Sequence, residues 1–554
     1  MTDSRKWPLL TMRQMTSTTF DHDAMRALIA INVRHPGSCD EYWLADSDDY
    51  PPEQKALERR ASGTLGVLAD ELRAAGIIPG FQQGITLGHD FSFRPDEIRR
   101  LPADAYQVDV DGALTAFLCP TSPDVLAFEE KFAETCVRLG KLESFWLDDD
   151  LRMGYYKKRA ASCWCPRCLA LLNEKAGTSF TREAFIARLS SDAPDDPLRA
   201  VWAAFKAESL ARFAAAARRG AKRANPSVRM GFQATSSATI GSGEDFLPIL
   251  EALSDGFRDT VGIRPGDGFY QETNPRCDMP VKLLAAAREA ERCRAYPGWN
   301  GSIAYEQENY PHFAMEKSAE AIVKEGALSL AAGCDAIAQY WYSSAHPEPF
   351  DHYDDVARLT AAWRPYLERL AALAPQTHLG GVALRPDPHL MTGPGNTVPA
   401  ILSNAHPRRD ASETALALMG VPVTVAEAGA KSFFEPADVP RGQYASADSD
   451  ALLDKLDALP GGPVCVRTDK VHPLIVYPRV TPDGRTRAVT FLNTSIGRAT
   501  GIPVRLRRPA GGKVLLARPC EPDLELAATP GVGDEIRLVL PDIPAWELAT
   551  LLLS

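Results

Sequence analysis

Residues 128–150 read FEEKFAETCVRLGKLESFWLDDD. A helix-forming stretch runs into a short apolar segment, and that segment ends in three consecutive aspartates. Adjacent carboxylates repel one another, so folding alone gives little reason to collect them. The same succession of helix and strand recurs along the chain. ALERRASGTLGVLADELRAAG leads into GIIPGFQQG, and WAAFKAESLARFAAAARRGAKRANP leads into VRMGFQA. PVKLLAAAREAERCRA precedes GSIAYEQENYP, EKSAEAIVKEGALSLAAG precedes CDAIAQYWYSS, and VARLTAAWRPYLERLAALA closes the series. Strands alternating with helices imply βαβ units and a parallel sheet. About eight such units fit a (β/α)8 TIM barrel. No glycine-rich phosphate fingerprint follows the early strands, which disfavours a dinucleotide-binding sheet.

Polar residues fall where a barrel would put its active site. Gln82 and Gln83, Asp148 to Asp150, Gln233, Glu306 to Asn309 and Tyr340 to Tyr342 all lie at the C-terminal ends of strand-like runs. In a barrel those ends share one mouth. Beyond residue 375 the pattern changes. Residues 376–468 suggest a small α/β domain, and 469–554 carry short strand-like runs between Gly, Pro and Asp turns. These runs predict a C-terminal antiparallel β-sandwich. The fold class expected is therefore α/β: a barrel over 1–375, a small α/β domain and a sandwich.

The chain has 554 residues, 45% hydrophobic and 24% charged, as in ordinary globular proteins. Its net charge of −11 disfavours nucleic acid and anionic membranes as partners. No apolar core of signal-peptide length opens the sequence, so a cytoplasmic location is expected. The eleven cysteines are spread thinly except at Cys163, Cys165 and Cys168; in that reducing setting the cluster points to a metal site rather than a disulfide framework, and the sequons at Asn300 and Asn493 carry little weight. Cys163-x-Cys165-x-x-Cys168 could converge on one tetrahedral zinc ion. The fourth ligand expected is Cys119, on the loop entering the helix before the aspartate strand. Such a closed site would be structural, and no organic cofactor is expected.

A metal-binding reading of the aspartates asks for a DDxxD pattern. The chain continues Asp150-Leu151-Arg152, so the pattern fails at its last position. A second carboxylate group lies in YEQENYPH, where Glu306 directly follows Ile303-Ala304-Tyr305. Two carboxyl groups across a barrel mouth suit glycoside hydrolysis, one protonating the leaving oxygen and the other attacking the anomeric carbon or activating water. Trp146, Tyr305, Tyr310, Tyr340, Trp341 and Tyr342 could form a sugar platform, and equally suit core packing. A metal-dependent barrel hydrolase or lyase using Asp148 to Asp150 and a non-catalytic carbohydrate-binding barrel stay open at this point.

Together these motifs resemble glycoside hydrolase family 42, the β-galactosidases among the retaining (β/α)8 hydrolases. CPTSP at Cys119 resembles that family's CPSSP-type loop, and CWCPRC at Cys163 its zinc-binding CxCPxC run. SFWLDDD takes the place of the strand ending in Asp-Asn-Glu, and YEQ at Tyr305 that of the nucleophile strand, which reads like MEQ. The likeness covers roughly residues 30 to 370. It implies Glu306 as nucleophile, Asp150 as general acid/base, and Asp149 at the place of the preceding asparagine. It also implies zinc on Cys119, Cys163, Cys165 and Cys168, a small carbohydrate substrate, and assembly as a trimer. Asp148, Asp149, Gln233, Tyr305 and Trp341 are the expected substrate-binding residues. Arg264 and Asp267 after the sixth strand, and His89 in TLGHDF, are further residues expected near the mouth. Asp150 stands in for a glutamate and is one methylene shorter, which sets the proton donor farther back.

Overall fold

The quoted segment folds as its pattern implies. A helix spans Pro123–Gly140, with proline in its first turn, and ends where Lys141 turns left-handed (φ 51°). The Leu142 N–H then closes onto the Val137 carbonyl at 3.1 Å, which caps the helix, and the strand Ser144–Leu147 follows. The computed structural model describes residues 7–15, 22–46, 51–88, 100–153, 161–191, 196–234, 246–266, 268–310, 316–342, 351–385, 465–469 and 472–554, with shorter pieces between 398 and 458.

Eight parallel strands close into a barrel in chain order. They are β1 (Leu10–Met15), β2 (Glu41–Asp46), β3 (Ile78–Gln83), β4 (Ser144–Leu147), β5 (Arg229–Ala234), β6 (Val261–Pro265), β7 (Gly301–Glu308) and β8 (Ala336–Tyr340). Pairing of Thr11 with Ala338 seals β1 to β8.

Side chains alternate in and out along each strand, and the interior is layered. Its middle is filled by Trp146, whose ring lies 4.3 Å from Trp43 and 6.0 Å from Trp7. Gly231 and Gly262 face the indole, and a Cβ on either would come within 2.3 Å of it. Ala304, Ala336 and Ala338 complete this layer. Toward the N-terminal ends, buried Glu41 accepts from Trp43 Nε1 at 3.0 Å and pairs with Arg229 at 3.2 Å. The layer at the C-terminal ends is the mouth.

Two excursions decorate the barrel. Between β3 and β4 a hairpin, Tyr106–Val108 with Leu114–Leu118, leads to Cys119. Between β4 and β5 the chain carries the other three clustered cysteines and the helices Pro166–Ala176, Arg182–Leu189 and Pro197–Ala224. No described helix is long and apolar enough to cross a membrane.

The C-terminal region is the expected antiparallel β-sandwich, a six-stranded sheet against a four-stranded one. Val489, Phe491 and Leu551 meet Val504, Leu506 and Leu540 between the sheets. Alternation within Ile502–Arg507 puts Val504 and Leu506 in this core and leaves Arg505 and Arg507 on the other face. The chain joins the six-stranded sheet already at His378–Leu379, which pairs with Arg479 and Val480. It joins the other sheet at Val466–Thr468. Residues between these strands are therefore an insertion into the sandwich. Their described part has parallel bridges Val382–Val423 and Leu384–Phe434 beside the helix Ala411–Leu418, an α/β arrangement.

The second face of the six-stranded sheet packs on the barrel's last helices. Tyr366, on the helix Asp351–Leu373, shares a hydroxyl hydrogen bond of 2.7 Å with Thr550. Arg479 is buried in this seam, donating to the carbonyls of Ala332, Ala374 and Thr377 and to the Thr377 hydroxyl. Burial pushes its guanidinium down to about 10. Replacing it leaves those acceptors dry. Arg479→Met is expected to cost roughly 3–5 kcal/mol of stability, read from the urea midpoint; a loss below about 1 kcal/mol would contradict this role for the seam.

Candidate active site

Inward positions at the strand ends bring together Arg13 from β1, Gln82 from β3, Asp148 after β4, Gln233 from β5, Arg264 from β6, Glu306 and Glu308 from β7, and Tyr340 from β8. All but the half-buried Glu308 are buried. Two guanidiniums organise them. Arg13 donates from Nε to Gln82 Oε1 at 3.0 Å and pairs with Glu308 at 2.8 Å and Glu306 at 3.6 Å. The Arg13 guanidinium also lies 5.5 Å from the Tyr340 ring centre. Arg264 contacts Glu306 through Nη1 and reaches Asp148 from Nη2 at 3.7 Å. Glu306 and Asp148 thus sit on two arms of one guanidinium. Glu306 Oε2 also accepts the Gly268 N–H at 3.3 Å.

The charges do not balance. Among the described residues, Arg13 and Arg264 face Asp148, Asp149, Glu306 and Glu308. Asp148 takes the consequence and is pushed up to about 8. Burial is the main cause, Asp149 and Asp150 add repulsion, and the attraction of Arg264 and Arg13 does not offset them. The 3.7 Å approach of Arg264 therefore does not make Asp148 an ordinary ionised partner, because the closer Glu306 already answers that cation. Arg264 is itself lowered to about 10, by burial and then by Arg13.

Asp150 is held elsewhere. Its carboxylate accepts the Thr86 N–H at 3.0 and 2.9 Å, the Thr86 hydroxyl, and the Gly88 N–H at 3.1 Å. The reason is local. The chain leaves β4 in a tight turn, with the Leu151 N–H on the Asp148 carbonyl and the Arg152 N–H on the Asp150 carbonyl. Asp148 keeps the inward side two residues beyond Trp146, and Asp150 turns to the loop after β3. Taking Asp150 as the carboxyl that faces Glu306 is corrected on that ground: Asp148 faces it. Asp149 is half-buried beside them.

The other expected substrate contacts divide. Gln233 is fully buried among the inward residues, and neither of its amide atoms has a partner among the described residues. Tyr305 does not join the mouth. It alternates with Glu306 and points outward, donating its hydroxyl to Glu325 at 2.8 Å. Trp341 is buried with its ring 4.4 Å from Tyr342 and 5.9 Å from Tyr353, and its indole N–H has no partner among the described residues. The Tyr305 correction follows from the period of two, which sends neighbours of an inward residue outward. His89, Asp267 and His312 lie outside the described residues. Sequence reasoning passed over Arg13, although a lone arginine inside the apolar run LTMRQM was the available signal.

The cysteines converge as expected. Sγ of Cys119 lies 3.7 Å from Cys163, 3.9 Å from Cys165 and 3.5 Å from Cys168, and all four sulfurs are buried within 4.8 Å of one another. A disulfide needs about 2.05 Å, whereas four thiolates about 2.3 Å from one tetrahedral ion stand about 3.8 Å apart. The cluster could hold a metal ion. Thr121 Oγ1 lies 3.1 Å from Cys119 and 3.2 Å from Cys168, and the Cys168 N–H donates to Cys165 Sγ. Trp164 donates its main-chain N–H to the Val108 carbonyl and so ties this loop to the hairpin.

No family model matches the sequence, and no curated protein matches it. Solved structures resemble it over its whole length. A catalytic mutant of a GH42 β-galactosidase from G. stearothermophilus aligns with a TM-score of 0.58 at 11% identity over 98% of each chain. The β-galactosidase from Bacillus circulans sp. alkalophilus gives 0.55 at 11% identity over all of both chains. That from Rahnella sp. R3 gives 0.54 at 12% identity over 99% of this chain and 98% of its own. At such identities the likeness establishes a common architecture, barrel and sandwich included.

Two outcomes test this geometry. Asp148 at about 8 keeps a proton that an unfolded aspartate releases near pH 3.9. Its stabilising contribution is full below about pH 4 and is lost as pH rises through about 8. Asp148→Asn should therefore gain thermal stability relative to wild type as pH goes from 5 to 9, and a constant difference would contradict the shift. Cys168→Ser should lose a metal ion, measured by elemental analysis per chain, together with several degrees of Tm. Equal metal content in both proteins would exclude the cluster as the binding site.

Proposed function

We propose that the mouth hydrolyses the glycosidic bond of a small glycoside, with Glu306 as nucleophile and Asp148 as general acid/base. The observation that carries this reading is the pair of carboxyl groups on two arms of Arg264, one matched by close cations and the other pushed up to about 8. Glycoside hydrolysis needs that division of labour, one carboxylate ionised and one carboxyl holding its proton near neutrality. Glu306 attacks the anomeric carbon while Asp148 protonates the departing oxygen. Asp148 then deprotonates the water that releases the sugar, and its proton is restored.

Arg13 and Arg264 keep Glu306 charged and aimed. Gln233 and Asp149 supply hydrogen-bonding groups for sugar hydroxyls, and burial of an unpaired amide such as Gln233 is costly until a ligand satisfies it. Because the similar solved structures are β-galactosidases, a β-galactoside-type terminal sugar is the first substrate to try. The cysteines are assigned to structural zinc, whose preference for four thiolates matches the donor set, held by Cys119, Cys163, Cys165 and Cys168. Its role is to staple the β3–β4 and β4–β5 excursions. A cytoplasmic location goes with four reduced cysteines. Metal chemistry at the aspartates is disfavoured, since the Asp150 oxygens accept from Thr86 and Gly88 and Asp148 faces a cation.

A panel of aryl and alkyl glycosides, with anomeric configuration followed by NMR, tests the assignment. Glu306→Gln should lose about a thousandfold or more in kcat on every substrate turned over. Asp148→Asn should lose about 10²–10⁴-fold on alkyl leaving groups, largely spare dinitrophenyl glycosides, and lose the alkaline limb near pH 8. Asp150→Asn should lower Tm and leave that leaving-group dependence unchanged. Absence of turnover on the whole panel, or an intact Glu306→Gln, would overturn the reading.

A further inference from the structure

Behind Glu306 lies a buried polar group that the proposed chemistry does not use. Lys317 and Glu325 form an ion pair of 2.6 Å in which neither side chain is exposed. Taking two charges out of water is expensive, and an apolar pair of similar volume would often be as stable. Such a pair therefore calls for a structural consequence. Glu325, on the helix Ala319–Ala332, accepts from Lys317, from the Tyr305 hydroxyl at 2.8 Å and from the Phe269 N–H at 3.2 Å. The Phe269 N–H is shared with Tyr305 Oη, also at 3.2 Å. Lys317 donates as well to the Glu308 carbonyl at the end of β7, and its ammonium lies 5.1 Å from the Phe269 ring centre.

Every branch of this network ends on the segment after β6 or on β7. The preceding residue, Gly268, gives Glu306 its backbone hydrogen bond. It is packed so closely that a Cβ there would stand 2.5 Å from the Glu306 carbonyl oxygen. Only glycine lets the main chain approach in this way. Tyr305 is the residue before Glu306, and alternation puts the two on opposite faces of one strand.

We propose that Tyr305, Glu325 and Lys317 are positioning residues that hold the Phe269 N–H and thereby aim the Gly268 N–H at Glu306. The inference rests on the assignment of Glu306 as nucleophile. A hydrogen bond to a carboxylate favours its charged form, so the network keeps the nucleophile ionised from the far side of the strand. The sandwich braces the same helix. Lys324, next to Glu325, bonds Glu547 at 2.8 Å, and Arg479 caps its end at Ala332.

The test uses the full-length protein. The Glu306 carboxyl is followed by infrared titration of protein carrying 13C-labelled glutamate, with its band assigned by its loss in Glu306→Gln. Tyr305→Phe, which removes one oxygen and keeps the ring, should raise that midpoint by about one pH unit. It should also lower kcat on an aryl glycoside about tenfold with KM unchanged. Gly268→Ala, acting directly on the donor, should move the midpoint in the same direction. A lowered Tm in Tyr305→Phe with an unmoved midpoint would overturn the proposal and leave the network a purely structural ion pair. Titration needs no turnover, so an inactive wild type would refute the hydrolase reading while the midpoint still decides the network.

Discussion

Trp146 fills the middle of the barrel against Gly231 and Gly262, which leave no room for a Cβ beside the indole. A side chain of that size cannot exchange faces with Phe145 or Leu147 without emptying one layer and overfilling another. The facing of β4 is thereby settled, and with it the inward direction of Asp148. Alternation carries the same consequence around the mouth. Ala304 in the tryptophan layer puts Glu306 inward and Tyr305 outward, and Gly231 puts Gln233 inward.

Once these side chains share a buried mouth, electrostatics divides them. Two guanidiniums cannot neutralise four carboxylates at close range in a medium that screens poorly. Glu308 and Glu306 take the short contacts with Arg13 and Arg264. Asp148 is pushed up chiefly by its burial, then by its two acidic neighbours in sequence, and the longer approach of Arg264 does not offset them. Chemical inequality between like groups arises here from placement, with no difference in side-chain type between Asp148, Asp149 and Asp150.

The remainder of the chain holds this geometry from outside. Four sulfurs join Cys119, before the helix leading to β4, to the loop after it, fastening both excursions that flank the aspartates. On the opposite side, the sandwich grips the helix Ala319–Ala332 through Arg479 and Glu547, and Glu325 of that helix reaches the back of β7. Apolar docking of the sheet and the buried ion pair act on the same helix.

Much of this was legible in the sequence. Recurrent helix-to-strand runs specify eight barrel units because helical and extended periodicities are local properties of the chain. The Cys163, Cys165 and Cys168 spacing fits one tetrahedral centre, and Cys119 could be placed beside it by the order of elements. Polar residues at strand ends located the mouth, Glu306 among them. Which aspartate faces Glu306 was not legible. The tight turn after Leu147 interrupts strand alternation, and the Thr86 and Gly88 donors that draw Asp150 away come from another strand's loop. Nor could local pattern separate Tyr305 from a sugar platform, since its partner Glu325 lies twenty residues on. Residue order and period are written along the chain. The partner that a buried polar group finds is decided by closure of the barrel, which brings distant segments within hydrogen-bonding reach.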